Sequence, residues 1–160
     1  IMNSNQFFEV FEKSILDYHI NDSIEQEAKN PYNKEDFKFL LYQKNWIDTV
    51  QWHLEDIIRD PEIDPKEALK IKRIIDASNQ KRTDLVEFID GHFLQKYKNV
   101  KVLDTASINT ETIAWAIQLY GVNFLIVLGI YCKCHTFEIR LFNLSQHSKF
   151  YLYNAYRCLE

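Results

Sequence analysis

Residues Lys34 to Asp60 read KEDFKFLLYQKNWIDTVQWHLEDIIRD and are followed at once by Pro61. The run holds no glycine or proline. Advanced by about 100° per residue, Phe39, Leu40, Trp46, Ile47, Val50, Leu54, Ile57 and Ile58 fall within about a third of the circumference, which predicts one long amphipathic helix. A face that wide asks for two packing neighbours. Immediately downstream, Asp64-Pro65 and Glu67 predict the start of a second long helix: an aspartate N-cap, a proline at the first helical position, and a negative charge facing the positive helix end. This helix runs to Asp90, with Gly91 as an exit or a tolerated interruption before His92 to Lys98. Two long helices joined by so few residues should form an antiparallel hairpin.

Outward from that hairpin, Phe7, Phe8, Phe11, Ile15, Leu16 and Tyr18 recur at helical spacings among Glu9, Glu12, Lys13 and Asp17, predicting a helix over 5–20. Asn30-Pro31-Tyr32-Asn33 reads as a turn, and Asn109 or Thr110 can cap a fourth helix beginning Glu111-Thr112-Ile113-Ala114-Trp115. The expected fold is all-α, an antiparallel helical bundle with the 5–20 and 110–118 helices packed across the 34–60 and 65–98 hairpin.

Composition agrees with a single folded domain: 160 residues, 46% apolar, 26% charged, with three glycines and three prolines, too few for a turn-dense sandwich or barrel. A net charge of −4 speaks against a strongly basic nucleic-acid binder. Ile1 to Ile20 has no basic leader and the apolar stretch Leu119 to Cys132 is shorter than the roughly 18–20 residues of a membrane helix, so a cytoplasmic protein without a membrane span is expected. Cys132, Cys134 and Cys158 are odd in number and lack the C-x-x-C spacing of zinc or redox pairs, and read as reduced thiols.

The chain changes character after Ile117. Residues 118–160 carry only Lys133, Glu138, Arg140, Lys149, Arg157 and Glu160 as charged side chains, together with all three cysteines. Gly121 to Tyr131 and the alternating Thr136 to Phe142 are β-prone. The expected division is therefore a helical domain over 1–117 and an atypical tail over 118–160 with a short β-prone segment.

Polar constellations lie on both long helices. In the first, Asp48, Trp52, Glu55 and Arg59 form a stripe opposite the apolar face, with Asn45 and Asp56 beside it. The stripe reads either as solvated surface with a Glu55–Arg59 ion pair or as the lining of an interhelical cleft, with Asp48, Glu55 and Asp56 as ligands or acid/base groups. His53 has Asp56 at i+3 and could share a metal ion with it. One such pair gives two ligands where a catalytic zinc site takes three, and a hydrogen-bonded core-edge histidine is the plainer account. His19 and His92 are the other histidines before residue 118. In the second helix, Asp76, Gln80, Thr83 and Glu87 form a polar stripe with Asn79 and Asp90 alongside, whereas Arg82 shares a side with Ile71, Ile75, Leu85 and Ile89. An arginine there should be paired, with Asp48, Glu55 or Asp56 as candidates, or should belong to an anion site with Arg59 and Asn79. No phosphate loop, nucleophile elbow, two-histidine zinc helix or paired C-x-x-C is present.

Asn45-Trp46-x-x-Thr49-x-Gln51-Trp52-His53-x-Glu55-Asp56-x-x-Arg59, followed by Ile75-Asp76-x-Ser78-Asn79-Gln80-x-Arg82 and by Glu111-Thr112-x-Ala114-Trp115, resembles a bacterial family known as domain of unknown function 4254, over about residues 34–117. The resemblance implies a longer helical protein with no established activity, hence no catalytic residues or cofactor to carry over. It also implies charged helix continuing beyond Ile117. The cysteine-containing sequence from Gln118 onward is therefore expected to reflect a frameshift near Ile117 or a shortened, restructured C-terminus. The expected function is a non-enzymatic binding or assembly module for a protein partner or a small anionic ligand. The alternative is a metal-binding or acid/base enzyme whose cleft is lined by His53, Glu55, Asp56 and Arg82.

Overall fold

A computed structural model describes residues 2–102, 106, 111–119 and 121. They form three helices, α1 (Ser4–Tyr18), α2 (Phe37–Ile58) and α3 (Pro65–Tyr97), and a helical segment over 113–119, with no strand among the described residues. The fold is all-α. The β-prone stretches Val122 to Tyr131 and Thr136 to Phe142, the three cysteines and the candidate caps Asn109 and Thr110 lie outside the described residues.

Each start is fixed by a side chain that accepts from exposed backbone N–H groups. Asn3 and Gln6 form a reciprocal capping box on α1, Asp36 caps α2, and Asp64 caps α3 by accepting from the N–H groups of Lys66 and Glu67 ahead of Pro65. The 113–119 segment starts on Thr112, whose hydroxyl accepts from the Trp115 N–H at 3.3 Å; Asp90 of α3 adds a second acceptor, for the Ala114 N–H at 3.0 Å. Gly91 does not end α3. It lies inside a continuous 33-residue helix with open space where a Cβ would stand.

α2 is sandwiched between α1 and α3. Phe37 at its start meets His92 and Phe93 near the end of α3, and Leu54 near its end meets Ile71 and Ile75, so α2 and α3 are the expected antiparallel hairpin. α1 instead runs in the same sense as α2: Phe7 contacts Phe37, Phe11 accepts from Asn45, and Tyr18 reaches Trp46 and His53. The connection over 19–36 returns the chain to the start of α2, and Asn30 ties it there by donating to the Phe39 carbonyl at 3.0 Å.

The main core joins Phe7, Val10, Phe11, Ile15 and Tyr18 of α1 to Leu41, Tyr42 and Trp46 of α2, and to Val86, Ile89 and Phe93 of α3. A smaller cluster of Leu54, Ile71 and Ile75 closes the other end of the hairpin. Each fully buried aliphatic side chain contributes about 1.5–3 kcal/mol. Two expectations are corrected here. Phe8 and Leu16 of α1 point to solvent while Val10 and Ser14 are buried, and on α2 Ile57 is exposed while Leu41 and Tyr42 are buried. The polar stripe of α2 is split: Asp48 and Asn45 are buried, together with Lys44 and Gln51, because a central helix is covered on both flanks, whereas Trp52, Glu55 and Asp56 are partly exposed and Arg59 is exposed. Among the described residues, no helix is long and apolar enough to cross a membrane.

Candidate functional site

The polar residues of the two long helices separate into distinct groups. The first is interior. Asp48, 5% exposed, accepts from the Lys44 ammonium at 2.5 Å through one carboxylate oxygen and from the Arg82 Nε at 2.7 Å through the other. Arg82 also donates to the Asn79 side-chain carbonyl at 3.1 Å. One buried carboxylate thus serves two cations, one from its own helix and one from α3. Burial lowers the pKa of Lys44; Asp48 opposes that shift, and Arg82 adds to it. Of the three partners expected for Arg82, Asp48 is the one that holds it.

The second group is superficial. Arg59, at the C-cap of α2, lies 3.9 Å from Glu55 and 3.6 Å from Asp56, all in partial or full contact with solvent, where such pairs contribute little. Gln51 donates to Glu55 at 3.2 Å. Asp76 pairs with Lys72 and Gln80 with Asp84, both on the exposed side of α3. Trp52 is half-buried.

His53 belongs to neither set. Its ring stacks on Tyr18 at 4.9 Å, and its Nε2 lies 3.7 Å from Asp22 in the turn after α1, whose carboxylate is 3.9 Å from the Nε2 of His19. The expected His53–Asp56 pairing is thus displaced by a grouping with His19 and Asp22. Burial lowers the pKa of His53, with smaller opposing effects from Asp22 and Asp56 and a reinforcing one from His19. His53, Glu55, Asp56 and Arg82 therefore have three different sets of partners rather than one shared cleft. No helical period links His19 and Asp22 to His53, because the chain reverses between them; only the histidine count pointed that way.

A further feature had no sequence signal. An open groove of about 910 Å³ runs between α2 and α3 and is edged by the 24–28 segment. α2 contributes Gln43, Trp46, Ile47, Val50 and Leu54, and α3 contributes residues at 66, 69, 70, 73, 74, 77, 78 and 81, one helical face in each case. The floor is apolar and the α3 rim carries Lys66, Lys70, Arg73 and Lys81, with Glu27 opposite. The far end of the groove, at Ala77, Ser78 and Lys81, falls in the stretch of α3 between Ile75 and Val86 that buries no side chain.

Comparison with curated proteins and with solved structures gives no match to either. A family profile does match, starting four residues after Lys34 and running nine past Ile117, so that it takes in both polar stretches and Gly121. The chain belongs to the family described as Protein of unknown function (DUF4254), whose profile matches residues 38–126.

Proposed function

We propose that the protein is a non-enzymatic binding module of the bacterial cytoplasm, and that the α2–α3 groove receives an acidic amphipathic helix of a protein partner. The observation that carries this reading is the groove itself: two adjacent helix faces with an apolar floor, bordered along one wall by Lys66, Lys70, Arg73 and Lys81. Two parallel ridges with a trough between them are the seat a third helix occupies in a bundle. From residue 66 to residue 81 the wall is about 22 Å long, which suits roughly four turns of helix. Leu69 and Ile74 are exposed on it, an apolar surface that a docked helix would cover. The trough is open and wide rather than enclosed, which favours a helix over a small molecule held on most of its surface. The Asp48–Arg82–Lys44 network, which ties α2 to α3, then has a structural task, holding α3 at the spacing that keeps the trough open.

The test uses a fluorescently labelled amphipathic peptide of about four helical turns with Glu on its polar face, and the same peptide with Lys there. The acidic peptide is expected to bind saturably, and Lys70→Glu with Arg73→Glu is expected to weaken it about tenfold or more; raised salt acts in the same direction. Equal binding of both peptides, or indifference to the charge reversal, refutes the reading.

A further inference from the structure

On the α1 side of α2, flanking the face that lines the groove, three side chains that sequence spacing does not connect converge on one point. His19 is the C-cap of α1, Asp22 lies three residues on, and His53 is in the fifth turn of α2. Two imidazole Nε2 atoms approach the same Asp22 oxygen, at 3.9 Å and 3.7 Å, and one ligand atom from each of the three residues lies within 4.8 Å of the others. Neither contact is a hydrogen bond at that distance. From these positions we propose that His19, Asp22 and His53 form a binding site for a divalent first-row transition metal ion, independent of the groove.

Four observations support the assignment. The first concerns the orientation of His19: its Nδ1 lies 2.7 Å from the Ile15 carbonyl, which can only accept, so Nδ1 carries a proton and Nε2 is the nitrogen on the Asp22 side that is left to ligate. A backbone carbonyl behind the ligating ring is the usual orienting partner of a metal-bound histidine. The second is the seating of His53. Its ring stacks on Tyr18 at 4.9 Å and stands 5.5 Å from the ring of His19, with its Nε2 on the Asp22 side.

The third is the backbone of Asp22, which among the described non-glycine residues alone has a positive φ, 50°. Its N–H donates to the Tyr18 carbonyl at 3.0 Å, so the left-handed turn is tied down, and it delivers a carboxylate between the two rings. The fourth is reach. The Asp22 side chain is 59% exposed and those of His19 and His53 are about a fifth exposed, so an ion can enter from solvent.

Two imidazoles and one carboxylate are borderline ligands that suit zinc, iron(II), cobalt(II) or nickel rather than magnesium or calcium. Metal–ligand distances of about 2.0–2.2 Å put bound ligand atoms roughly 3.0–3.5 Å apart, so separations now within 4.8 Å must close by up to about 1–2 Å, a side-chain adjustment. Three protein ligands leave coordination positions open, the pattern of sites that bind a further molecule. Tyr18 borders this cluster: its ring stacks on His53, and its buried hydroxyl has no hydrogen-bond partner among the described residues. Burial and then the Asp22 charge push the Tyr18 pKa up to about 12.

The experiment is titration of the chelator-treated full chain with Zn²⁺ by calorimetry, alongside Co²⁺ followed by its visible absorption. One ion per chain is expected. Asp22→Asn, which keeps a residue suited to the left-handed turn, and His53→Gln are each expected to weaken binding by about a hundredfold or more. His92→Gln, on the far end of the bundle, is expected to leave it unchanged. Circular dichroism confirms that each variant is folded; a folded Asp22→Asn alone suffices to decide. The proposal is overturned if the chain shows no saturable binding, or if Asp22→Asn and His19→Gln bind as the parent does while alkylation of Cys132, Cys134 and Cys158 abolishes binding.

Discussion

The contact between α1 and α2 is mainly aromatic and aliphatic, from Phe7 on Phe37 to Tyr18 on Trp46, with one buried amide, Asn45, donating to the Phe11 carbonyl in its middle. Polar groups there are accessories: Ser14 donates to the Tyr42 carbonyl, and the Tyr42 hydroxyl donates to Asp17 at 2.9 Å. Between α2 and α3 the arrangement is inverted. Apolar contacts stand at the two ends, Leu54 with Ile71 and Ile75, and Phe37 with Phe93, while the middle is held by Arg82 on Asp48. Hydrophobic burial is non-directional and tolerates sliding; a buried carboxylate shared by two cations tolerates almost none. The first interface supplies stability, and the second sets the register of α3 and the width of the groove.

That distinction can be broken by substitution. Asp48→Ala should have the largest effect, a loss of about 3–5 kcal/mol in urea unfolding, because it strands Lys44 in the interior and leaves Arg82 without its carboxylate. Next, a double-mutant cycle on Asp48 and Arg82 should give a coupling of about 1–3 kcal/mol; a value near zero would remove the register argument. The corresponding polar deletion on the α1 side, Tyr42→Phe, should cost only about 0.5–1.5 kcal/mol, since Asp17 keeps Lys13 and solvent. If Tyr42→Phe is as damaging as Asp48→Ala, the two interfaces are not different in kind.

Smaller effects sharpen the comparison. Gly91→Ala should stabilise by about 0.5–1 kcal/mol, since a Cβ meets nothing within 4 Å inside a regular helix. Finally, stability should decline as pH falls below about 6.5, the range in which the unfolded chain takes up protons that His53 and His92, with pKa values lowered first by burial, still refuse in the fold. Their contribution is fully present above 6.5 and is lost as pH drops to their lowered values. Urea midpoints at pH 7.5 and 5.5 for the parent and His53→Gln check the sign, and the variant should show the shallower slope.

Much of this was legible in the chain. The absence of glycine and proline from Lys34 to Asp60, the Asp64-Pro65 start, and the side of α3 on which Arg82 falls each lead to what the fold contains. The burial of Lys44 and Gln51 was not legible, and for Asp48 the helical period left solvated surface and interhelical cleft open, because periodicity reports one apolar face and not what covers the others. On a central helix the second face is buried too, and its polar groups survive by pairing. His19 and Asp22 were invisible for another reason: they meet His53 through a chain reversal and a left-handed residue, neither of which leaves a repeat in sequence. The groove followed from packing alone, from how α2, α3 and the 24–28 segment sit against one another. The cysteine-bearing tail of 118–160, expected to reflect either a change of frame or a restructured C-terminus, calls for the coding DNA to be read from Ile117 to beyond Ile126, where the family match ends.

The two apolar anchors of α3 also bear on how the molecule breathes. The first three turns are held by Ile71 and Ile75 to a cluster that does not include the aromatic core, whereas Val86, Ile89 and Phe93 belong to that core. A helix fastened at two separate points need not detach all at once. In native-state hydrogen exchange, amides over 66–76 should trade their protons through a local opening well below the global unfolding energy, while those over 86–93 wait for the whole chain to open. The wall bearing Lys66, Lys70 and Arg73 is thus built on the half of α3 that lets go first, and a docked partner would announce itself as slower exchange in that half.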